Sequence, residues 1–117
     1  MHNLRPIVLA STSPFRRALL EQARVEVQPM APCCDEESTV TDPGERALEL
    51  AERKARSILP QVKEGVIVAG DQVASLEGER VSKARDEDEA RRRLTAMAGR
   101  WLDLHSAAVT LDSESHA

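Results

Sequence analysis

Aromatic side chains are nearly absent, with one Trp, one Phe and no Tyr among 117 residues. Proteins that hold single-stranded nucleic acid usually stack the bases on several aromatic rings, so this mode of binding is disfavoured. The net charge of −4 also argues against a broad surface for a nucleic-acid polymer or an anionic membrane. We therefore expect neither of these as a partner, whereas short clusters of arginine still suit a small anionic ligand.

Cysteine and long apolar runs are scarce as well. The only cysteines, Cys33 and Cys34, are adjacent and belong to no pattern with zinc-ligand spacing. The apolar run near the N-terminus stops at Ser11, too short for a signal segment or a membrane span. These features predict a chain in a reducing cytoplasm. His2, His105 and His116 have no triad or metal-ligand spacing, and covalent catalysis is not expected.

The length and the composition, 41% hydrophobic and 31% charged, predict one soluble domain spanning 1–117. Hydrophobic periodicity and capping residues predict strands and helices in alternation. The first half is predicted to contain a strand at 6–10, a helix from Ser13-Pro14 to about Arg24, a short strand at Val25 and Val27, a loop at 29–41, and a long helix from Asp42-Pro43 to Pro60. The second half is predicted to contain a strand at 66–76 that turns at Glu77-Gly78 toward Val81, a helix from Asp86 to Gly99, a strand from Trp101 to Leu111, and a tail. Leu94 is predicted to lie on the apolar side of the helix that begins at Asp86. This alternation favours an α/β fold with a mixed sheet flanked by helices.

The junction between the first strand and the first helix carries two serines and an arginine. Free amide groups and the helix dipole at such a turn favour an anion. Ser11 and Ser13 add hydroxyl groups, and Arg16 adds a fork of N–H donors, so the junction suits a phosphate group. The alternative is an ordinary Ser-Pro cap, with Arg17 pairing to Glu21 four residues later.

Two charged residues fall among apolar neighbours. Lys54 flanks the apolar stripe of the long helix, where a lysine usually extends to water but also has the reach to bind a phosphate. Asp71 shares one strand face with Ile67 and Ala69, so its carboxylate must be paired, bind a metal, or act as a base in a cleft. The alternative for Asp71 is a simple turn at Gly70-Asp71.

Further charged residues lie in predicted loops. Asp35 and Glu36 belong to an acidic cluster that is most simply solvated, but their oxygens, with those of Asp71, also suit Mg²⁺. Lys83 follows the predicted hairpin and would ordinarily be a surface residue.

Together these segments resemble the Maf family of nucleotide pyrophosphatases from Leu4 to Val109. The matching stretches are LASTSPFRRALL (9–20), DEE (35–37), LAERKA (50–55), VIVAGDQV (66–73), SK (82–83), EARRRL (89–94) and MAGR (97–100). The resemblance implies a Maf/ITPase-like fold and hydrolysis of a nucleoside triphosphate between the α and β phosphates with Mg²⁺ or Mn²⁺. It implies that Asp71 accepts the proton and that the substrate contacts are Ser11, Ser13, Arg16, Lys54 and Lys83.

Two positions resemble the branch that acts on 7-methyl-GTP: Gln72 after the aspartate, and an aromatic residue at Phe15. An aromatic face can stack on a cationic methylated guanine. The resemblance also implies that the C-terminal half of the family domain is missing, and Ser82-Lys83-Ala84 replaces the usual Gly-Lys-Pro. An exposed sheet edge and self-association, for instance as a homodimer, would follow. The alternatives are a truncated remnant that binds nucleotide or protein without catalysis, and a plain structural module.

Overall fold

A computed structural model describes residues 5–117, so His2 and Leu4 lie outside the described part. The elements are β1 (Ile7–Leu9), α1 (Pro14–Gln22), β2 (Gln28–Pro29), α2 (Pro43–Ile58), a short 3-10 turn (Leu59–Gln61), β3 (Val66–Leu76), β4 (Glu79–Val81), α3 (Glu87–Met97) and β5 (Leu102–Asp112). The predicted α/β fold with a mixed sheet is confirmed. Among the described helices none is long and apolar enough to cross a membrane.

The long strand β3 is the centre of the five-stranded sheet. β5 pairs antiparallel with all of β3, from Val66 to Leu76, along one edge. The other edge of β3 is shared, because β1 pairs in parallel with its first three residues and β4 pairs antiparallel with its last three. Residues 69–73 of β3 therefore have no strand beside them on that edge, which leaves a gap in the sheet between β1 and β4.

Polar caps begin the three helices where the sequence predicts them. The side chains of Ser13, Asp42 and Asp86 each accept a hydrogen bond from the amide three residues later. These bonds satisfy amide groups that have no partner within the helix. Helix α1 ends at Gln22 rather than at Arg24, which has a positive φ of 62° and turns the chain back toward the sheet.

Helix α2 holds the core together by packing across β3 and β5. Its buried side is mostly alanine, leucine and isoleucine at helical spacing, and it also includes Lys54. The core cluster joins Ala55 and Ile58 of α2 to Val8 of β1, Ile67 of β3 and Leu111 of β5. One helix therefore covers one face of the sheet.

Two further predicted elements, a short strand and the third helix, differ from the structure. The short strand is at Gln28–Pro29 rather than at Val25 and Val27, because the Val25 amide donates to the Leu20 carbonyl at the end of α1 and is not available to the sheet. Helix α3 forms as predicted, but it has no buried residue, and Leu94 on its expected packing side is exposed. Ala90 and Met97 on the same side are only half-buried.

The segment after Leu111, predicted to be a tail, is bonded to the rest of the fold. Asp112 ends β5 and accepts two hydrogen bonds from the Arg5 guanidinium, at 2.6 and 3.2 Å. The Ser113 hydroxyl accepts a hydrogen bond from the Gly65 amide at 2.9 Å. These contacts join the first described residues to the end of β5.

The Arg5–Asp112 pair makes stability depend on pH. The guanidinium, helped by the Glu114 amide, holds the pKa of Asp112 well below its ordinary value. The stabilisation is therefore complete above the unfolded-state pKa of about 4 and is lost as the pH falls toward the lower folded-state pKa. We expect the urea midpoint to drop less between pH 6 and pH 2.5 in Asp112→Asn than in the parent chain. Equal drops in the two proteins would contradict this.

Candidate active site

The centre of the site is an ion pair between α2 and β3. The Lys54 ammonium lies 2.7 Å from Oδ1 of Asp71, and both side chains are about 10% exposed. Glu36 lies on the same ammonium, with 3.4 Å between Nζ and Oε1. The prediction that Lys54 extends to water is wrong, because Asp71 provides a buried partner, and the alternative of a turn at Gly70-Asp71 is wrong because β3 continues through both residues.

The acidic loop reaches this lysine because two arginines of α2 hold it. Arg46 donates to the Ser38 carbonyl at 2.8 Å, and Arg53 donates to the carbonyls of Asp35 and Glu37 at 2.7 and 2.5 Å. The two arginines are seven residues apart and so lie on one side of the helix. The sequence analysis did not identify Arg46 and Arg53 as functional residues, although their seven-residue spacing indicates that they share one side of the helix. They orient Glu36 toward Lys54.

The predicted phosphate corner is assembled at the start of α1. Ser11 is buried, and its hydroxyl accepts hydrogen bonds from the Ser13 amide at 3.0 Å and from the Arg16 guanidinium at 3.4 Å. The Ser13 hydroxyl accepts from the Arg16 amide at 3.3 Å. Arg17 is directed elsewhere and pairs with Glu21 at 3.0 Å, as the alternative reading predicted. Hydroxyl groups, helix amides and one guanidinium thus converge without a nearby carboxylate partner among the described contacts.

The corner and the ion pair meet at consecutive residues of β3. Nε of Arg16 lies 4.0 Å from the position that a Cβ on Gly70 would occupy, and Lys54 binds the next residue, Asp71. Side chains alternate across a strand, so the two groups approach β3 from opposite sides. In residues 5–117 no hydrogen bond joins Asp71 to Ser11 or Arg16. Gly70 and Asp71 both belong to the stretch of β3, residues 69–73, that has no strand beside it on one edge.

Residues 6–117 match the family described as Maf, Maf-like protein. The chain belongs to the Maf family. It is 36% identical over 111 residues to a 7-methyl-GTP pyrophosphatase of Ralstonia nicotianae, covering 94% of this chain and 57% of that protein. It is 36% identical over 106 residues to a dTTP/UTP pyrophosphatase of Carboxydothermus hydrogenoformans, covering 91% and 57%. The chain thus spans little more than half the length of the curated Maf relatives it matches.

The fold agrees with solved structures at much lower identity. A HAM1 protein from Coxiella burnetii superposes with a TM-score of 0.58 at 18% identity, covering 95% of this chain and 65% of that one. The Staphylococcus aureus Ham1 protein superposes with a TM-score of 0.51 at 16% identity, covering 92% and 71%. At this identity the likeness establishes the mixed α/β architecture of this Maf chain and nothing about its chemistry.

The remaining residues predicted for the site make no hydrogen bond or salt bridge with the ion pair within residues 5–117. Lys83 is exposed after β4, and Phe15 is 83% exposed on the first turn of α1. Gln72 donates to the Ser106 hydroxyl at 3.0 Å, on the side of β3 opposite Asp71. A shallow cavity of about 440 Å³ adjoins the site, and its lining residues are Asp35, Glu36, Glu37, Ser38, Arg46 and Arg80. Arg80 had no sequence signal, since it falls in an ordinary hairpin strand.

The predicted metal ligands are only partly gathered. Glu36 and Asp71 share one ammonium, whereas Asp35 accepts a hydrogen bond from the Glu37 amide of its own loop at 2.9 Å. Within residues 5–117 no three acidic, histidine or cysteine side chains are close enough together to hold a metal ion. Two carboxylates with one lysine carry a net negative charge, and Mg²⁺ commonly takes only one or two protein carboxylates, so the donor chemistry of Glu36 and Asp71 fits a divalent ion.

Cys34, close to this cluster, is not set up as a nucleophile. Burial, followed by the charge of Glu36, raises the pKa of its thiol above the ordinary value. A thiol of raised pKa is less often in the reactive thiolate form. The Cys34 thiol is therefore disfavoured as a nucleophile at neutral pH.

Proposed function

We propose that this chain hydrolyses nucleoside triphosphates to the monophosphate and pyrophosphate. The observation that carries the proposal is the buried Lys54–Asp71 pair beside the open edge of β3, next to the Arg16 corner. Membership of the Maf family and the names of the curated relatives support it. Because the chain spans little more than half of those relatives, the activity is a proposal for this chain.

In the proposed reaction some residues bind the phosphates, and Asp71 accepts the proton. The phosphate oxygens bind to the Arg16 guanidinium and to the Ser11 and Ser13 hydroxyls. Asp71 accepts a proton from a water molecule while the water oxygen bonds to the α-phosphorus. The bond between the α-phosphorus and the oxygen that bridges to the β-phosphate breaks, and pyrophosphate leaves. Lys54 fixes the orientation of the Asp71 carboxylate, and Lys83 reaches the phosphates from the end of β4.

A divalent cation, Mg²⁺ or Mn²⁺, fits this site as its cofactor. Asp71 and Glu36 would hold it, with Asp35 as a further candidate from the same loop. When bound it neutralises charge on the phosphates. The protein groups named above perform the binding and the proton transfer.

The test is pyrophosphate release by the purified chain from a panel of canonical and methylated triphosphates. With Mg²⁺ or Mn²⁺ we expect release in equal amounts with the monophosphate, and we expect chelation by EDTA to stop it. Inorganic phosphate as the product would contradict cleavage between the α and β phosphates. Failure to release pyrophosphate from any triphosphate with either metal would contradict the proposal.

Within the same panel we propose a preference for 7-methyl-GTP. Phe15 presents an exposed ring next to Arg16, and a cationic base gains from an aromatic face. Gln72 is the second residue proposed to set the preference. The relatives include both 7-methyl-GTP and dTTP/UTP enzymes, so the panel decides between them. We expect kcat/KM for 7-methyl-GTP to exceed that for GTP, the matched unmethylated control, by about tenfold.

A second candidate function is nucleotide binding without hydrolysis. It is favoured by the lack of a hydrogen bond, within residues 5–117, between Asp71 and either Ser11 or Arg16. Binding of a triphosphate by calorimetry with no product formed would support it. The same result would exclude the plain structural module, which binds no nucleotide.

A further inference from the structure

The acidic loop around Glu36, residues 33–38, has no helix or strand of its own and is bonded to one side of α2. Four side chains of that side make these bonds, and they recur at three- and four-residue steps along the helix: Arg46, Glu49, Arg53 and Ser57. Arg53 has the central place among them, because it donates to the carbonyls of Asp35 and Glu37, the residues directly before and after Glu36.

Glu49 holds Arg53 in this position and also bonds to the loop itself. Its Oε1 lies 2.5 Å from Nη2 of Arg53, and its Oε2 accepts a hydrogen bond from the Ser38 hydroxyl at 2.9 Å. The carboxylate therefore fixes the guanidinium, and together the two side chains bond to the loop on both sides of Glu36.

The contact of Glu36 with Lys54 does not hold the loop by itself. The distance between Nζ and Oε1 is 3.4 Å, and the Glu36 side chain is 70% exposed. An ion pair with so exposed a partner contributes little to stability, because water competes for the charge. The place of the Glu36 carboxylate beside Lys54 and Asp71 therefore depends on the bonds between α2 and the loop backbone.

We infer that Glu49 and Arg53 are positioning residues for the divalent cation that Glu36 and Asp71 are proposed to hold. This inference rests on the proposed function, since it takes these two carboxylates as the metal ligands. Glu49 and Arg53 touch neither the metal nor the phosphates in this role. They keep the Glu36 carboxylate within reach of Asp71. Removing such a support of a metal ligand typically lowers metal affinity about 10–100-fold.

A second glutamate–arginine pair on α2 provides a matched control. Glu52 and Arg56 have the same four-residue spacing, and Nε of Arg56 donates to Glu52 at 3.1 Å. Both side chains are about half exposed, and in the described part of the chain neither of them bonds to the acidic loop. The two pairs thus share residue types, spacing and helix, and they differ in the loop contacts of Glu49 and Arg53.

The experiment is Mn²⁺ binding to the full chain without nucleotide, followed by the electron paramagnetic resonance signal of the free ion. We expect Glu49→Ala and Arg53→Met each to raise the dissociation constant for Mn²⁺ about tenfold. Glu52→Ala and Arg56→Met should leave it within about twofold of the parent value, since their charges are exposed and screened.

The direction of the change in Arg53→Met separates positioning from simple charge. This substitution removes a positive charge, which by electrostatics alone would tighten the binding of a cation. Glu49→Ala removes a negative charge, which alone would weaken it. Weaker binding in both variants is therefore expected only if Arg53 acts through the loop.

A Glu36→Gln background tests whether the effect passes through Glu36. Glu36→Gln should itself weaken Mn²⁺ binding, and adding Glu49→Ala should then change the dissociation constant by less than about twofold, because residues that act through one contact are not additive. Circular dichroism of each variant checks that α2 is intact. Glu49→Ala and Arg53→Met remove different parts of the same attachment, so either variant tests it if the other does not fold.

Three results would overturn the inference. They are a parent chain that binds no Mn²⁺ at millimolar concentrations, a folded Glu49→Ala or Arg53→Met variant that binds Mn²⁺ as tightly as the parent, and an undiminished effect of Glu49→Ala in the Glu36→Gln background. Pyrophosphate release is measured separately. A chain that releases pyrophosphate but whose Mn²⁺ affinity does not depend on Glu49 would refute this inference alone. A chain that binds Mn²⁺ as expected but releases no pyrophosphate would refute the proposed function alone.

Discussion

Asp71→Asn is expected to lower kcat for pyrophosphate release by about 10²–10⁴-fold, the usual contribution of a positioned general base. The amide has the shape of the carboxylate but accepts no proton from water. The side chain is about 10% exposed and hydrogen-bonded to Lys54, so the substitution is small in size and retains a hydrogen-bond acceptor. The measurement is steady-state pyrophosphate release at saturating triphosphate with Mg²⁺.

The matched control is Asp103→Asn, which also removes one negative charge from the sheet. Asp103 lies on β5 and is exposed, away from the Lys54 pair. Its kcat should equal that of the parent, and triphosphate binding by calorimetry should persist in both variants. Activity in Asp71→Asn within threefold of the parent would remove Asp71 from the proposed mechanism.

Lys54→Met is expected to destabilise the fold by about 3 kcal/mol, because it leaves the Asp71 carboxylate without its buried partner. Methionine retains an unbranched apolar side chain in place of the lysine stem, so the loss reflects the missing charge more than a cavity. The measurement is the free energy of unfolding from urea titration at pH 7. Catalysis should fall as well, since Lys54 orients Asp71.

A double variant separates the loss of the pair from general damage to α2. Lys54→Met with Asp71→Asn removes both charges and should be more stable than Lys54→Met alone, because no uncompensated carboxylate remains. Arg56→Met serves as the surface control on the same helix, and its effect should be within about 1 kcal/mol, since its pair with Glu52 is exposed. A double variant less stable than the single one would contradict a buried ion pair.

Elements with strong local signals were predicted well. Ser13-Pro14 and Asp42-Pro43 begin helices as expected, because a cap and a following proline act within one turn. The face of β3 that carries Asp71 was also predicted correctly, since alternation depends only on an extended backbone. The acidic loop was correctly placed before α2, although its attachment to the helix through Arg46 and Arg53 was not predicted.

The misses arise where the surroundings of a residue, rather than its own sequence pattern, decide its role. Val25 and Val27 look like a strand, but the Val25 amide is bonded to the Leu20 carbonyl at the end of α1, and the pairing with β1 begins only at Gln28. Lys54 has the pattern of a surface lysine, and only a buried carboxylate 17 residues away reverses that expectation. Leu94 is exposed because its burial depends on whether another element packs against α3, and the periodicity of α3 itself does not indicate that.

By itself, the sequence determined the local order of helices and strands, their caps, and the residue types available for phosphate chemistry, because these depend on neighbours within a few positions. Tertiary structure alone decided that Glu36 and Asp71 converge on the Lys54 ammonium, and that Arg16 approaches Gly70. It also decided that β1 and β4 leave the edge of β3 open at 69–73. The reason is that strand order and register bring together residues that are far apart along the chain, and the local sequence pattern around each residue does not indicate which partner it meets.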